Sequence, residues 1–337
     1  MEKPIKIRLH VLSPIHIGCD DIYEPTSFVI DENKKKLIEF DPIDLVKNLK
    51  PQELAEFSKT AASDNLLAIF KAVKRFYKPT IKGKEVEVTD YLIEHYKKIL
   101  AMGTFDKNAV INQFTINKTA FNPQNNTPYI PGSSLKGAIR TAYLSALANI
   151  KKITDWKYKA DLLETKLLDR EDGKNKMSSD PFRMVKVSDL LPCDKVKTKI
   201  VYAVNKRKKK NDMPLLSARG GLSQIFEVIQ AGAIFEGIVK ISAPLNPSNI
   251  NLPVTSDTLM SALNKFYTPL IQKEIKILEN VGIAVPIINT INDRFKEQIN
   301  NTVFIVRLGR HSGAEAVTIE GNRLIKIKQA GGAPPVF

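Results

Sequence analysis

One stretch near the middle of the chain, YIPGSSLKGAIRTAYL, contains the residue types that bind an anion. A Pro-Gly pair ending at Gly132 breaks the chain before a helical pattern, and Ser133 and Ser134 stand where hydroxyl groups cap a helix. Lys136 and Arg140 are four residues apart and therefore share one face of that helix. Free backbone N–H groups, the helix dipole and two cations together suit a phosphate group.

Two alternatives to a phosphate site exist for this stretch. The first is an ordinary capped helix that carries two solvated cations. The second is a P-loop, which requires the run Gly-x-x-x-x-Gly-Lys-Ser/Thr. The stretch lacks that run, so nucleotide hydrolysis is disfavoured.

A basic run, NKRKKKN, lies between two apolar segments of β-strand character. It places Lys206, Arg207 and Lys208, together with two further lysines, at the predicted tip of a hairpin, and Arg219 follows in the same segment. At such a tip, cations can contact phosphates without reading a nucleotide sequence. The alternative is a solvated loop.

Two glycine-containing loops form the third group of candidates. HIG, near the start, contains His16 and Gly18, and RLGRHSGAE, near the end, contains Arg310 and His311. Glycine permits a close backbone approach, while arginine and histidine supply a cation and a stacking ring. Histidine also suits metal-independent RNA cleavage, in which one group takes the proton of a 2′-OH and another protonates the leaving oxygen. For the second loop, the alternative is a β-turn with surface charges.

The composition favours a polyanionic partner. Lys and Arg outnumber Asp and Glu by 51 to 36 in 337 residues, a formal net charge of +15. Counterion release then makes nucleic acid the first candidate. Cys19 and Cys193 are isolated, so neither a disulfide framework nor a zinc site is indicated, and we expect no cofactor. No apolar run reaches the roughly 18 residues of a membrane span and no signal-peptide pattern begins the chain, so we expect a cytoplasmic protein without membrane partners.

Hydrophobic patterns predict the elements that position these residues. IKIRLHVL alternates as a strand, SFVID and LIEFDP form a hairpin, and residues 42–103 are helical almost throughout. Strands return in RMVKVSDL, KTKIVYAVN and QIFEVIQAGAIFEGIVKIS, the last containing a pair of strands joined by a glycine turn. Residues 256–283 are predicted to be helical with an interruption at Pro269, and VFIVRLGRHSGAEAVTIEG to be a strand, a glycine loop and a shorter strand. The pattern indicates an α+β fold with antiparallel sheets of ferredoxin-like or RRM-like type.

Five motifs in this order, LSPIHIG, YIPGSSLKGAIRTAYL, VKVSDL, AGAIFEGIV and RLGRHSGAEAVTIEG, resemble the RAMP proteins of CRISPR systems. Within that family the likeness is to the type III-A Csm subunit that caps the filament at the 3′ side of the guide. The resemblance implies a helix-decorated, RRM-like fold that binds crRNA, contacts neighbouring Csm backbone subunits and supports crRNA maturation, with a host maturation nuclease as a further partner. It places the Gly132 to Arg140 stretch on the guide-binding helix and the basic run at a thumb that crosses the RNA.

The same resemblance suggests how the chain is divided. Residues 1–41 and 104–250 would form the RRM-like core, residues 42–103 a helical insertion, and residues 251–337 a C-terminal helical segment with glycine-loop strands that pack on the core. A second, degenerate RRM-like lobe is compatible with the pattern. The chain ends in GGAPPVF, which resembles the beginning of a further segment, so we expect the natural chain to continue.

Two other functions stay open at this level. His16 and His311 lie in loops where RAMP nucleases that process guides carry catalytic groups. Asp20 or Asp21 follows the first strand much as the target-cleaving acidic residue does in the Csm backbone subunit. A purely structural interaction protein is the third class. We expect a non-catalytic subunit that binds RNA through the cations, serines, glycines and loop histidines named above.

Overall fold

The computed structural model describes residues 3–63, 65–103, 114–154, 159–170, 177–204, 224–245, 249–299 and 302–323. Within them the strands are β1 (Ile5–His10), β2 (Gly18–Ile22), β3 (Phe28–Asp31), β4 (Lys36–Glu39), β5 (Lys84–Val88), β6 (Ile116–Thr119), β7 (Phe121–Asn122), β8 (Thr127–Pro128), β9 (Val185–Val187), β10 (Leu191–Pro192), β11 (Thr198–Ala203), β12 (Gln224–Ile229) and β13 (Ile234–Ile241). The helices are α1 (Pro42–Lys47), α2 (Pro51–Ala61), α3 (Leu66–Phe76), α4 (Asp90–Ala101), α5 (Gly132–Ile150), α6 (Ala160–Leu167), α7 (Ser256–Asn280), α8 (Ile287–Phe295) and α9 (Ala314–Val317), with a 3-10 turn at Pro181–Met184.

The chain forms two compact units, and each is made of separate chain segments. The first unit comprises residues 1–12, 129–193 and 234–337, and the second comprises residues 13–128 and 194–233. The first therefore contains β1, β9, β10, β13 and α5 to α9, and the second contains the remaining strands and α1 to α4.

The first unit is built on a four-stranded antiparallel sheet. The long strand β13 pairs with β1 along one edge and with β9 and β10 along the other. Helix α5 is apolar at three- and four-residue spacing and buries Leu135, Ile139 and Ala142, as its periodicity predicts. The Tyr267 hydroxyl of α7 donates to the Ala138 carbonyl of α5 at 3.2 Å, which fixes the register of the two helices.

The second unit contains a seven-stranded mixed sheet in the order β2-β6-β12-β11-β5-β4-β3. The predicted hairpin is present: β3 and β4 pair antiparallel with Phe28 opposite Glu39. The amphipathic helices α3 and α4 supply Phe70 and Tyr96 to a core that also contains Phe28 and Ile116 of the sheet. Because both helices bury their apolar face on the strands, the α+β expectation is confirmed.

Three local expectations are wrong. The strands predicted within QIFEVIQAGAIFEGIVKIS are β12 and β13, but they belong to different sheets and do not pair with each other. Helix α7 continues through Pro269, where the proline removes one backbone donor without ending the helix. Neither strand predicted in VFIVRLGRHSGAEAVTIEG forms, because residues 304–308 are irregular and Ala314–Val317 are helical, with the Tyr267 hydroxyl 3.5 Å from the carbonyl oxygen of buried Ala316.

The predicted division into core, helical insertion and C-terminal segment stays a prediction. One strand, β5, lies within residues 42–103 and joins the seven-stranded sheet, because Leu37 of β4 pairs with Val86. In the described part of the chain, no helix is long and apolar enough to cross a membrane.

Candidate nucleic-acid interface

Helix α5 begins against the strand β9 and the loop that follows it. A Cβ atom on Gly132 would lie 2.4 Å from the Val187 carbonyl oxygen and 2.6 Å from that of Ser188, so only glycine fits. The Gly132 N–H donates to Asp189 Oδ1 at 2.8 Å. Two backbone hydrogen bonds between Ile130 and Leu190 hold the segment that precedes the helix. The helix start is therefore rigidly positioned.

The prediction that Ser133 or Ser134 caps the helix is wrong. Pro131 is the N-cap, it provides no side-chain hydrogen bond, and both serines lie in the first turn. The Pro131 carbonyl accepts hydrogen bonds from Ser134 N at 3.0 Å and from Leu135 N at 3.4 Å. Since Asp189 already binds the first donor, the helix start is less open to a further anion than the sequence indicated.

An exposed strip nevertheless runs from the first turn of α5. Ser133 and Gly137 are exposed and Lys136 is half-buried, at the spacing of one helical face. A Cβ atom on Gly137 would meet nothing within 4 Å, so a ligand backbone can approach the helix there. Burial, followed by the charge of Lys186 on β9, lowers the pKa of Lys136. Two cations from different elements thus lie close together at this surface.

Arg140, by contrast, is engaged by carboxylates of its own unit. Its guanidinium donates to Asp180 at 3.0 and 2.8 Å and to Glu164 at 2.6 Å, and it lies over the Phe182 ring. Arg170 also reaches Asp180, at 3.3 Å. Burial opposes the charge of Arg140, but the hydrogen bonds outweigh it and raise the pKa of this guanidinium. We therefore leave Arg140 out of the proposed phosphate site and assign it to the anchoring of α6 and the 3-10 turn on α5.

The first loop histidine lies in the interior of the second unit. His16 is 5% exposed, its Nδ1 is 2.8 Å from the Glu227 carbonyl oxygen, and its ring packs on Phe226 with centroids 4.5 Å apart. Gly18, at the start of β2, is exposed. The Glu227 side chain is fully buried and forms an ion pair with Lys84 at 3.0 Å. These contacts make His16 a packing residue of this core.

The second glycine loop lies in the first unit. Arg310 and His311 are both exposed, and His311 has a left-handed backbone with φ of 63° between two glycines. Arg307, just before them, forms an ion pair with Glu274 of α7. The loop therefore presents one cation and one imidazole at the surface, as predicted, and their role in RNA binding stays a prediction.

Four predicted contacts, Lys206, Arg207, Lys208 and Arg219, lie outside the described residues. They belong to the connection between β11 and β12, which pair antiparallel with Thr198 opposite Ile229. Sequence reasoning missed Lys186, Asp189 and Gly137. Alternation within VKVSDL was a usable signal for Lys186, since Val185 and Val187 are the inward residues of β9. Within the described ranges, no three His, Cys, Asp or Glu side chains come together as a metal site.

Helices packed on a four-stranded and a seven-stranded sheet, with Lys136 close to the start of α5, define the class of the protein. The chain belongs to the RAMP superfamily, whose sequence pattern matches residues 8–309. Among curated proteins it is similar to the "CRISPR system Cms protein Csm5" of Methanocaldococcus jannaschii, with 28% identity over 218 residues, and to that of Streptococcus thermophilus, with 27% identity over 258 residues. The matches cover 63% and 71% of this chain, but 49% and 68% of those proteins. The chain thus spans about half the length of the first relative.

Solved structures show the same fold. A chain in the cryo-EM structure of a Csm–crRNA–target RNA ternary complex of a type III-A CRISPR–Cas system superposes with a TM-score of 0.64 and 20% identity, covering 94% of this chain and 87% of that one. The crystal structure of T. onnurineus Csm5 gives a TM-score of 0.55 and 19% identity, covering 82% and 83%. The predicted RRM-like RAMP fold is confirmed.

Proposed function

We propose that this chain is a crRNA-binding subunit of a type III-A Csm ribonucleoprotein, which caps the filament at the 3′ side of the guide and supports crRNA maturation and antiviral defence. Its superfamily, its likeness to proteins named Csm5 and its shared fold with a chain of a Csm–crRNA complex support this proposal. Neighbouring Csm backbone subunits are then its protein partners, and a host maturation nuclease acts beside it. The cytoplasmic location stays a prediction.

The observation that carries the RNA-binding part of the proposal is the exposed strip at the start of α5, where Ser133 and the open space at Gly137 flank Lys136. Lys136 and Lys186 come from a helix and a strand, yet Lys186 lies near enough to lower the pKa of Lys136. Like charges held together destabilise a free protein, and a phosphate between them removes that penalty. Exposed Ser133 and the open space at Gly137 allow an RNA backbone to reach both ammonium groups. Contacts of this kind bind any spacer sequence.

The proposal is tested by one substitution and one matched control. Lys136→Ala should weaken binding of a mature guide RNA about 10-fold at fixed salt, as loss of one charged hydrogen bond of about 1.5 kcal/mol implies. Lys265→Ala removes the same charge from an exposed position of α7 in the same unit and should leave affinity unchanged. Lys265→Ala should keep the wild-type melting temperature, and Lys136→Ala should keep it or raise it slightly, because it removes the repulsion between Lys136 and Lys186. Sequencing of RNA that co-purifies with the wild-type protein should recover mature guides.

We also propose that the subunit is not a nuclease. Buried His16 is held against the Glu227 carbonyl, which makes it a poor partner for an RNA 2′-OH. Metal-free cleavage of RNA by the purified protein, lost in His16→Ala or His311→Ala while binding persists, would contradict this assignment.

A further inference from the structure

The outer face of the four-stranded sheet is a basic surface that extends beyond the start of α5. Directly opposed residues of antiparallel strands point to the same face. Here Lys6 pairs with Ile238, Arg8 with Glu236, and Lys186 with Lys240. All six side chains are exposed, whereas the alternate residues Phe235, Val239 and Ile241 of β13 are buried. We call these six residues and Leu191, which also pairs with Glu236, the open sheet face.

The charges of the open sheet face are unbalanced. Its single carboxylate, Glu236, is bound by Arg8, with Nε to Oε1 at 2.8 Å. Lys6, Lys186 and Lys240 remain, on three adjacent strands. Lys186 and Lys240 are direct cross-strand partners, an arrangement that destabilises a sheet when the charges are alike. A polyanion bound across the strands would neutralise this repulsion.

The open sheet face is also continuous with the start of α5. Lys186 is the shared residue, because it opposes Lys240 on the sheet and lowers the pKa of Lys136 on the helix. Lys6 lies diagonally across from Lys240, since Lys6 pairs with Ile238, two residues away on β13. The four lysines therefore form one track that begins at Lys136 and crosses β9, β13 and β1.

We propose that single-stranded RNA follows this track from the start of α5 onto the open sheet face. Lys186, Lys240 and Lys6 bind successive parts of the phosphate backbone. Ile238 and Leu191, 44% and 58% exposed, lie beside them and provide apolar area for a ribose or a base. Binding is independent of sequence, because lysines contact phosphates and no base-reading side chain is needed. This inference rests on the proposed function and extends its RNA site.

The test uses a double variant that leaves the start of α5 intact. Lys6→Ala/Lys240→Ala is compared with Lys273→Ala/Lys276→Ala, which removes two exposed lysines of α7 in the same unit. The probe is a fluorescein-labelled oligouridylate, and its affinity is measured by anisotropy over a series of NaCl concentrations. Each lost phosphate contact on a single strand reduces the slope of log affinity against log salt by about 0.7, so the sheet variant should lose about 1.4 and the control nothing.

The RNA affinity of Lys136→Ala is measured in parallel, because that variant tests the proposed function and the sheet variant tests the RNA track. A reduced slope only in the sheet variant supports the RNA track. Wild-type behaviour of the sheet variant, together with weakened binding by Lys136→Ala, overturns the inference and leaves the proposed function standing. Normal RNA binding by the sheet variant with loss of incorporation into the Csm complex shows that the face contacts protein instead. Absence of RNA binding by the wild-type protein overturns both proposals.

Discussion

The ion cluster around Asp180 should contribute more to stability than any surface pair of the first unit. Asp180→Asn removes the charge that holds Arg140 at 3.0 and 2.8 Å and Arg170 at 3.3 Å. Asp180 Oδ1 accepts a hydrogen bond from Phe182 N at 2.9 Å. The side-chain oxygen of an asparagine can accept the same bond, so the 3-10 turn stays capped. The substitution therefore tests the charge and not the cap.

The magnitude follows from the geometry. Opposite charges about 4 Å apart attract by about 4 kcal/mol at an effective dielectric constant of about 20. Breaking a buried pair costs about 3–5 kcal/mol because the partner is left uncompensated. Here the side chains of Asp180 and Arg140 are 18% and 22% exposed, so water screens part of this attraction. We expect Asp180→Asn to lower the free energy of unfolding by about 2–4 kcal/mol.

Urea denaturation followed by circular dichroism measures this loss. Asp169→Asn is the matched control, because Asp169 pairs with Lys151 at 2.5 Å but is 52% exposed, and such pairs contribute about 0–1 kcal/mol. Asparagine also tolerates the positive φ of 47° at this position. If Asp180→Asn costs no more than Asp169→Asn, the cluster is not a stabilising anchor and Arg140 becomes available again as a phosphate ligand.

Three further outcomes are expected. Burial raises the pKa of Asp180, but its charged hydrogen bonds prevail and lower it. The stability gap between wild type and Asp180→Asn should therefore be complete above the unfolded pKa of about 3.9 and disappear as pH falls through the lower folded value; melting curves from pH 6 to 3 would show the onset of this loss. Gly132→Ala should lower the free energy of unfolding by about 1–3 kcal/mol, because its Cβ would meet backbone carbonyls. Gly137→Ala should instead stabilise α5 by about 0.5–1 kcal/mol but weaken RNA binding, because the new Cβ fills the open space there. Unchanged RNA affinity of Gly137→Ala would exclude a close approach of RNA at this position. Glu227→Gln should lower the free energy of unfolding, measured by chemical denaturation, by about 3 kcal/mol, because Lys84, whose side chain is 20% exposed, loses its buried partner. A loss below about 1 kcal/mol would show that water already screens this ion pair.

Helices and strands with a clear hydrophobic period could be predicted from the sequence, whereas the pairing of strands that are distant in the chain could not. The apolar spacing of α3 and the hairpin of β3 and β4 depend on neighbouring residues, so local pattern was sufficient. Strands β12 and β13 are also locally evident, but their assignment to different sheets depends on partners such as β1, more than 200 residues away.

The candidate site divides in the same way. Lys136 was a visible candidate because it lies close to the start of a helix that the apolar period of the sequence predicts, and its phosphate contact stays a prediction. Arg140 is equally basic, but Asp180 binds it from 40 residues away, and nothing near Arg140 in the sequence indicates that partner. The sequence could not indicate that the first N–H group of α5 is occupied, for the same reason: its acceptor, Asp189, lies 57 residues from Gly132.

The interleaving of the two units constrains how the protein can be made. Strand β1 pairs with β13, so during synthesis Ile5 has no partner until Val239 has been added. The sheet of the first unit therefore cannot close until β13 has been synthesised, and both segments of the second unit lie between β1 and β13 in the sequence. Pairings of such high contact order are slow to form and leave an early strand exposed during translation. Neither unit can be cut out as one continuous fragment, and circular permutants or truncations must be designed around the four points where the chain passes between units.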